Sequence, residues 1–522
     1  DTRRLTEMEI LDYPSRLAHD RRYSDPRYYK GVEYANIIES LARRRCAEAF
    51  SANGISAEEI FVNVQALSGG PANNAVFQAL AEPGDTVMAM DLLHGGHLSH
   101  GSPVHRTGKY YNAVHYTVDP ETEKLNYDQI EELARESRPK FIIAGYSSYP
   151  WMADWYRFRE IADSVDALLF ADIAHVAGLV AAGVYPSPVG FADVVTFTTH
   201  KSLCGPRGAC ILTTDRLLAR KIDRAVFPGE QGGPHVNTFV AMAIALKLAK
   251  TDQFRELQGQ IVKNCLRLSD RLKENGFRIP FGGTDTHLMN LDCGSIVGQD
   301  GTKLSGDQAA RILDIAGIVV NRNTIPGDKN ALDPSGIRLG TPWVTQRGLG
   351  ESEMEQIADI ISDILKSTTP YQIDGRKRKL RRAKVEFQTL EVSKLHVHDM
   401  AQKAGIDFEP TSHGYPHFYY LDDKPEGKWV GFDLGGDRVR EFLNFSLASD
   451  IEALNPGTDQ PTRVNTPFMD VKGILSCKDP LNFHLSIPAG MSGLCSAWLR
   501  DLSDGYVAFD DDPTRKIPGP VW

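Results

Sequence analysis

Lys201 follows an apolar β-forming run, Val194-Val195-Thr196-Phe197, and lies within Thr198-Thr199-His200-Lys201-Ser202-Leu203-Cys204-Gly205-Pro206-Arg207-Gly208. Glycine and proline end the segment, so the pattern predicts a buried strand that presents a lysine at its tip. That place suits covalent chemistry, because burial penalises the ammonium and favours the nucleophilic amine. Taken alone, the same residues also fit an exposed lysine in a strand–loop turn. A second segment has the same design. Leu168-Leu169-Phe170-Ala171-Asp172 is a short apolar run that ends on an acid, and Ile173-Ala174-His175-Val176-Ala177-Gly178 follows it with small residues. Both side chains are therefore expected at the carboxyl ends of parallel strands, where open α/β sheets build their sites. An acid and an amine so placed suit pyridoxal 5'-phosphate. The amine condenses with the aldehyde, and the carboxylate keeps the ring nitrogen protonated so that the ring can take electrons from a substrate Cα. Asp172 alone also admits a plainer role, as the cap of the next helix.

Asp172-x-x-His175-x-x-Gly178 followed by Thr199-His200-Lys201-x-x-x-Gly205-Pro206-Arg207-Gly208 closely resembles serine hydroxymethyltransferase, a fold-type I pyridoxal phosphate family. The resemblance runs from about Tyr23 to about Leu365. Arg27-Tyr28-Tyr29, His94-Gly95-Gly96-His97-Leu98-Ser99-His100-Gly101, Phe227-Pro228-Gly229-Glu230-Gln231-Gly232-Gly233-Pro234, Gly282-Gly283-Thr284-Asp285 and Ser335-Gly336-Ile337-Arg338-Leu339-Gly340 carry it in the same order. It implies that Lys201 bonds the cofactor, that Asp172 pairs with the ring nitrogen, and that His97 stacks on the ring. His175 and Ser147 would reach the phenolic oxygen. Ser68-Gly69-Gly70 would cradle the phosphate with His200 nearby, as backbone N–H groups at a helix start do. Arg338 would grip the substrate carboxylate, which a planar guanidinium fork matches in two parallel bonds. Tetrahydrofolate, the co-substrate, would lie along Leu93–Leu98, including Gly96. Gly232, Gly233 and Tyr29 would cross from a neighbouring subunit, giving a homodimer or a dimer of dimers.

The implied reaction interconverts L-serine plus tetrahydrofolate with glycine plus 5,10-methylenetetrahydrofolate. The chain departs from the family pattern at three places. Gly70 stands where the family has a serine. Counting back from Arg27-Tyr28-Tyr29 puts His19 and Arg21 where the family has a tyrosine and a proton-handling glutamate. An arginine cannot serve as a general acid near neutrality, since its pKa stays above about 12. Two alternatives therefore stay open: a folate-independent aldolase or transaldolase on β-hydroxy-amino acids, and a non-catalytic protein that binds folate or a partner.

The elements that must position these residues follow from the wider pattern. Apolar runs at Thr86–Met90, Phe141–Ala144, Leu168–Asp172, Val194–Thr198 and Cys210–Thr213 alternate with helical stretches. That alternation predicts an α/β fold with a sheet covered on both faces, and the resemblance to a fold-type I family implies that the sheet is mostly parallel and seven-stranded. The expected organisation is an arm over 1–34, a cofactor-binding domain over 35–260, a small α+β domain over 261–372, a basic linker over 373–384 and a C-terminal β-rich domain over 385–522. In the last region Val439-x-x-Phe442-Leu443, Ser449-Asp450-Ile451-x-x-Leu454-x-Pro456-Gly457 and a turn at Gly473 weakly resemble the folate-binding barrel of glycine-cleavage aminomethyltransferases. The acidic pair expected after that glycine is replaced by Ile474-Leu475-Ser476-Cys477, which points to a binding or structural role. His396, His398, His413 and His417 are a loose cluster that surface loops explain without a metal.

Bulk properties bound the remaining choices. The 522 residues suffice for two or three domains. A net charge of −10 argues against a general nucleic-acid binder. No apolar run approaches the roughly 20 residues that span a bilayer. Seven scattered cysteines without metal-knuckle spacing fit reduced thiols in the cytoplasm. Asp1 reads as the start of a trimmed chain.

Overall fold

The computed structural model describes residues 33–375, 379–405, 420–519 and 521. Helix α1 (Glu33–Phe50) carries Leu41, Ala42, Cys46, Ala47 and Phe50 on one buried stripe, and the Phe50 ring stacks on Phe197 with centroids 4.4 Å apart. After it come β1 (Phe61–Asn63), α2 (Gly69–Leu80), β2 (Thr86–Met90), β3 (Asn112–Tyr116), α3 (Tyr127–Ser137), β4 (Phe141–Ala144), α4 (Trp155–Ser164), β5 (Leu168–Asp172), β6 (Val194–Thr198), β7 (Ala209–Thr213), α5 (Arg216–Arg224) and α6 (Val236–Leu248).

The seven strands form the expected sheet, in the order β1-β7-β6-β5-β4-β2-β3. Neighbours from β3 through β6 are parallel, while β7 is antiparallel to both β6 and β1. Separate apolar clusters cover the two faces. That is why β4 and β6 are buried at every position and read as continuous apolar runs. Four of the five strands read from sequence have the expected ends, and the fifth starts one residue early, at Ala209. Both β1 and β3 were missed, one being three residues long and the other, Asn-Ala-Val-His-Tyr, too mixed to show an apolar run.

The chain order reverses between β2 and β4. From β2 the sheet grows towards β3 on one side, and towards β4, β5 and β6 on the other. Such a switch point opens a crevice at the carboxyl ends of the strands. Gly145 ends β4 there with φ of +155°, and a Cβ on it would lie 2.1 Å from the carbonyl oxygen of Asp172. Only glycine lets the ends of β4 and β5 approach this closely.

Helix α7 (Asp252–Glu274) leads into β8 (Leu288–Asp292), α8 (Gly306–Ile315), β9 (Asn321–Asn323), β10 (Gly336–Gly340) and α9 (Glu351–Lys366). The three strands make an antiparallel sheet, β8-β10-β9. The segment expected to be a basic linker is instead part of a hairpin. β11 (Thr368–Asp374) pairs with β12 (Lys379–Val385), from Thr368 opposite Val385 to Asp374 opposite Lys379. Its charges find partners: Arg381 bonds Asp333 at 2.8 Å, and Lys384, only 3% exposed, donates to the Arg515 carbonyl.

The rest comprises α10 (Phe387–Lys403), β13 (Trp429–Gly435), α11 (Val439–Ser446), β14 (Asp459–Asn465), β15 (Asp470–Asp479), β16 (Asn482–Pro488) and α12 (Ser492–Asp504). Among the described residues this region is an open antiparallel sheet, β13-β16-β15-β14, rather than a barrel. Gly473 is not a turn. It pairs with Thr462 in mid-strand, and a Cβ there would meet the Ser486 carbonyl at 2.7 Å. Val439, Phe442 and Leu443 are core residues of α11. One apolar cluster runs from Cys265 to Val521, so the stretches read as two domains, 261–372 and 385–522, share a core. His396 and His398 lie on α10, whereas His413 and His417 fall outside the described residues.

A buried charge cluster ties α10 to α12. Lys394 Nζ lies 2.5 Å from Glu391 Oε1 and 3.0 Å from Asp501 Oδ2, with all three side chains under 7% exposed. Burial pushes the Glu391 carboxyl up and keeps it protonated beside Asp501. Its folded pKa is raised, so its contribution to stability is complete in acid and is lost as the pH rises. Lys394→Met, which strands a buried carboxylate, is expected to cost about 3–5 kcal/mol. Glu391→Gln is expected to remove the alkaline loss. Urea midpoints measured at pH 6 and pH 9 check both.

Candidate active site

β5 and β6 are adjacent and parallel, with Asp172 in register with Thr196. Asp172 is the last residue of β5, and Lys201 stands three residues beyond the end of β6. Both line a cleft of about 240 Å³ with Ser68, Gly69, Gly70, Asn73, His97, His100, Tyr146, Ser147, Ala174, His175, Thr198, His200 and Arg207. The cleft therefore gathers Lys201, Asp172, His97, His175, His200, Ser147 and Ser68-Gly69-Gly70, which were singled out from the sequence. It also holds Asn73, His100, Tyr146, Ala174, Thr198 and Arg207, which were not. His100 had a visible cue, standing three residues after His97 in a histidine-rich loop. Asn73 had none, since an asparagine inside an amphipathic helix looks like any solvent-facing polar residue.

The loop after β2 is held by the loop after β4. Ser147 N donates to the Gly95 carbonyl at 2.8 Å, and Ser147 Oγ donates to the Gly96 carbonyl at 2.7 Å. Gly96 packs so tightly that a Cβ would lie 2.2 Å from the Met90 carbonyl oxygen. Its place is structural support for His97. The Ser147 hydroxyl proton expected to serve a ligand is thus committed to the chain itself.

Burial and mutual repulsion shift the cationic groups in one direction. Burial, aided by His100, Lys201 and other neighbouring cations, lowers His97 to about 4. Burial also puts His175 well below its usual range, with Lys201 and Arg338 adding to the effect. Its ring lies 5.9 Å from that of His287, which burial lowers to about 3. Lys201 is lowered by burial, against the pull of the Asp172 carboxylate. Asp172 behaves oppositely. Burial would raise its carboxyl, but the hydrogen bond and charge of His100, with His97 and Asn73, hold it well below the usual carboxylate range.

Arg338 comes from β10 of the small domain. Burial lowers it too, and its Nη1 donates to the Ser147 carbonyl at 2.5 Å. It thus reaches the rim of the cleft from the sheet β8-β10-β9. Leu93 and Leu98 flank the His97 loop without lining the cleft, and Leu98 is 45% exposed. Gly232 and Gly233 are exposed and line no part of the cleft formed by their own chain. Tyr29, His19 and Arg21 lie outside the described residues.

The donor set fits pyridoxal 5'-phosphate. Ser68 is the N-cap residue of α2, yet its side chain makes no capping bond. Its hydroxyl and the first N–H groups of the helix are open to an anion. Nothing lies within 4 Å of where a Gly70 Cβ would stand. His200 Nδ1 is buried without a hydrogen-bond partner among the described residues. A phosphate would supply the acceptors these groups lack, and Asp172 and Lys201, in the same cleft, would be available to the ring nitrogen and the aldehyde.

The family model described as "Serine hydroxymethyltransferase" matches residues 14–361. A curated relative named "Serine hydroxymethyltransferase", from Rippkaea orientalis (strain PCC 8801 / RF-1), is 49% identical over 342 residues, or 65% of this chain and 77% of the relative. The match ends before the hairpin β11–β12 and the sheet β13-β16-β15-β14.

If burial lowers Lys201, the apoprotein should capture an aldehyde at a pH where ordinary lysines are fully protonated. The rate of cofactor uptake by apoprotein, followed by visible absorbance, is expected to rise with pH and level off below 10.5, the usual lysine value. A midpoint at or above that value would contradict the burial argument.

Proposed function

Because the chain belongs to the serine hydroxymethyltransferase family, it interconverts L-serine and tetrahydrofolate with glycine and 5,10-methylenetetrahydrofolate on pyridoxal 5'-phosphate, and we propose that Lys201, Asp172, His97, His175 and Arg338 carry the reaction. The observation that supports these assignments is the shared cleft, in which the ends of β5 and β6 bring an acid and an amine together beside an anion cradle. The cofactor, when bound, supplies an electron sink for the pair of electrons left at the substrate Cα.

The chain's own residues do the rest. Lys201 offers an amine that burial keeps more readily unprotonated than an exposed lysine. Asp172, strongly favoured in its ionised form, would hold the proton on the ring nitrogen. His97, neutral at working pH, would pack against the ring without competing for its charge. His175, also neutral, would offer its one N–H to the phenolic oxygen. Ser147 orders the His97 loop instead of sharing that duty. Ser68, Gly69, Gly70 and His200 would hold the phosphate. Arg338, which donates to the Ser147 carbonyl, would clamp the substrate carboxylate and so orient the substrate Cα. Tetrahydrofolate would lie along the loop of Leu93, Gly96 and Leu98, which flanks the cleft without lining it.

A homodimer is the working unit in this reading. Gly232 and Gly233 stay clear of their own cleft, as residues destined for a neighbour's site would. A cytoplasmic setting accords with seven cysteines that are all free thiols. No helix among the described residues is long and apolar enough to cross a membrane.

Purified protein with pyridoxal 5'-phosphate should release the serine hydroxymethyl carbon only when tetrahydrofolate is present. Cleavage of serine, threonine or phenylserine at equal rates without it would overturn the folate assignment. Lys201→Ala is expected to lose the visible absorbance of the lysine-bound cofactor, and an unchanged spectrum would remove Lys201 from the site. Arg338→Ala should raise the KM for serine by about 100-fold or more, from the loss of two charge-assisted bonds, while the cofactor stays bound. An unchanged KM would exclude Arg338.

A further inference from the structure

The Asp172 carboxylate is held from behind by residues to which the family motifs give no role. Oδ2 accepts from His100 Nε2 at 2.9 Å and from Asn73 Nδ2 at 2.8 Å. Oδ1 accepts the Ala174 N–H at 3.0 Å and no other hydrogen bond among the described residues. Asn73, Ser99, His100 and Thr196 are each 1% exposed. No solvent competes for these bonds, and in such surroundings each counts for more than it would in water.

The amide of Asn73 can sit only one way. Its oxygen accepts from Thr196 Oγ1 at 2.9 Å, and its nitrogen donates both to Asp172 Oδ2 and to Ser99 Oγ at 2.8 Å. A flipped amide would set its oxygen against the carboxylate. Ser99 Oγ, already an acceptor from Asn73, passes its own proton to His97 Nδ1 at 2.7 Å, and the Ser99 N–H reaches the same nitrogen at 3.2 Å. His97 is thereby fixed with Nδ1 as acceptor and the proton on Nε2. One buried chain of hydrogen bonds runs from the acid to the imidazole beside it. It is mounted on α2, whose first turn is the anion cradle.

We propose that Asn73 and His100 are positioning residues for Asp172, turning its Oδ2 into the protein and leaving Oδ1 for the ring nitrogen of the cofactor. The inference rests on the reading of Asp172 given above. Two donors on one oxygen stop the carboxylate from rotating, so the free lone pair of Oδ1 has a set direction. They also stabilise the anion, which leaves the shared proton on the ring nitrogen. Through Asn73 and Ser99, the same clamp sets the tautomer of His97. Through Asn73, α2 ties the phosphate cradle to the acid and, by way of the loop after β2, to His97.

The test combines cofactor affinity with a kinetic split. His100→Phe keeps the ring volume and removes the donor. It should weaken binding of pyridoxal 5'-phosphate to apoprotein by about 10–100-fold, the range for a hydrogen bond to a charged group. It should lower kcat at least as much and leave the KM for serine within about threefold, since Arg338 is untouched. His100→Gln, which restores a donor near Nε2, should recover most of both losses. Asn73→Leu should do the same damage and also shift the His97 imidazole 15N resonances in the apoprotein, because Ser99 loses its partner. Wild-type cofactor affinity and kcat in both His100→Phe and Asn73→Leu would overturn the proposal. If His100→Phe does not fold, Asn73→Ser, which adds no bulk, decides the question by the same readouts. Asp172→Asn separates the two levels of argument. Wild-type affinity in that variant would sink the role of Asp172 itself, whereas a damaged Asp172→Asn beside undamaged His100→Phe and Asn73→Leu would sink only the clamp.

Discussion

A carboxylate held ionised in a buried place is the constraint around which the site is arranged. Placing a charge at the end of β5, inside a sheet covered on both faces, is costly unless the charge is paired and hydrogen-bonded. Asp172 meets the condition with three donors: the Ala174 N–H, the Asn73 amide and the His100 imidazole. The adjacent strand then brings Lys201 to the same cleft. The amine is itself destabilised as a cation by burial, so the two groups differ in the form they favour: the acid stays charged, and the base is eased towards neutrality.

The other basic groups follow the same logic. His97, His175, His287, Lys201 and Arg338 are all shifted down, burial being the leading cause each time and mutual repulsion a further one for the histidines and Lys201. The cleft is a low-dielectric pocket with cationic character and one fixed negative charge. Such a pocket recognises anions. It has an uncapped helix start at Ser68 that suits a phosphate, and in our reading Arg338 on β10 takes the substrate carboxylate. The Ser147 carbonyl holds Arg338 at the rim, so the substrate clamp and the His97 loop are braced by the same residue.

The C-terminal third is built into the protein rather than attached to it. The hairpin β11–β12 leads from the small domain into α10, and a single apolar core continues from α7 and α9 through α12. Val385 exchanges backbone bonds with Tyr506 and Ala508, which ties the late chain to the hairpin. Lys394, Glu391 and Asp501 pin α10 to α12 inside that core. Truncation near residue 372 would remove β12, and with it the hairpin, and would expose the face of α9 that this core covers.

Local sequence determined the parts whose physics is local. Buried parallel strands are unbroken apolar runs, so β2, β4, β5 and β6 could be bounded to the residue, and the lysine and acid at their ends stood out. The cradle at Ser68-Gly69-Gly70 and the guanidinium of Arg338 are legible only through the resemblance to the family, not from residue types and spacing alone. Tertiary structure decided what depends on which surfaces meet. The basic run after Gly375 looks like a solvated linker because charge density is a local property, whereas the pairing of its described part, from Lys379, with Thr368–Asp374 is not. Gly473 resembled a turn because glycine usually marks one, but a neighbouring strand approaches too closely there for any side chain. Asn73 and His100 lie far apart in sequence and far from Asp172, and only the packing of α2 and the loop after β2 against β5 brings their donors to one oxygen. A hydrogen bond of this kind is specified by angle and distance, and residue type alone does not encode either.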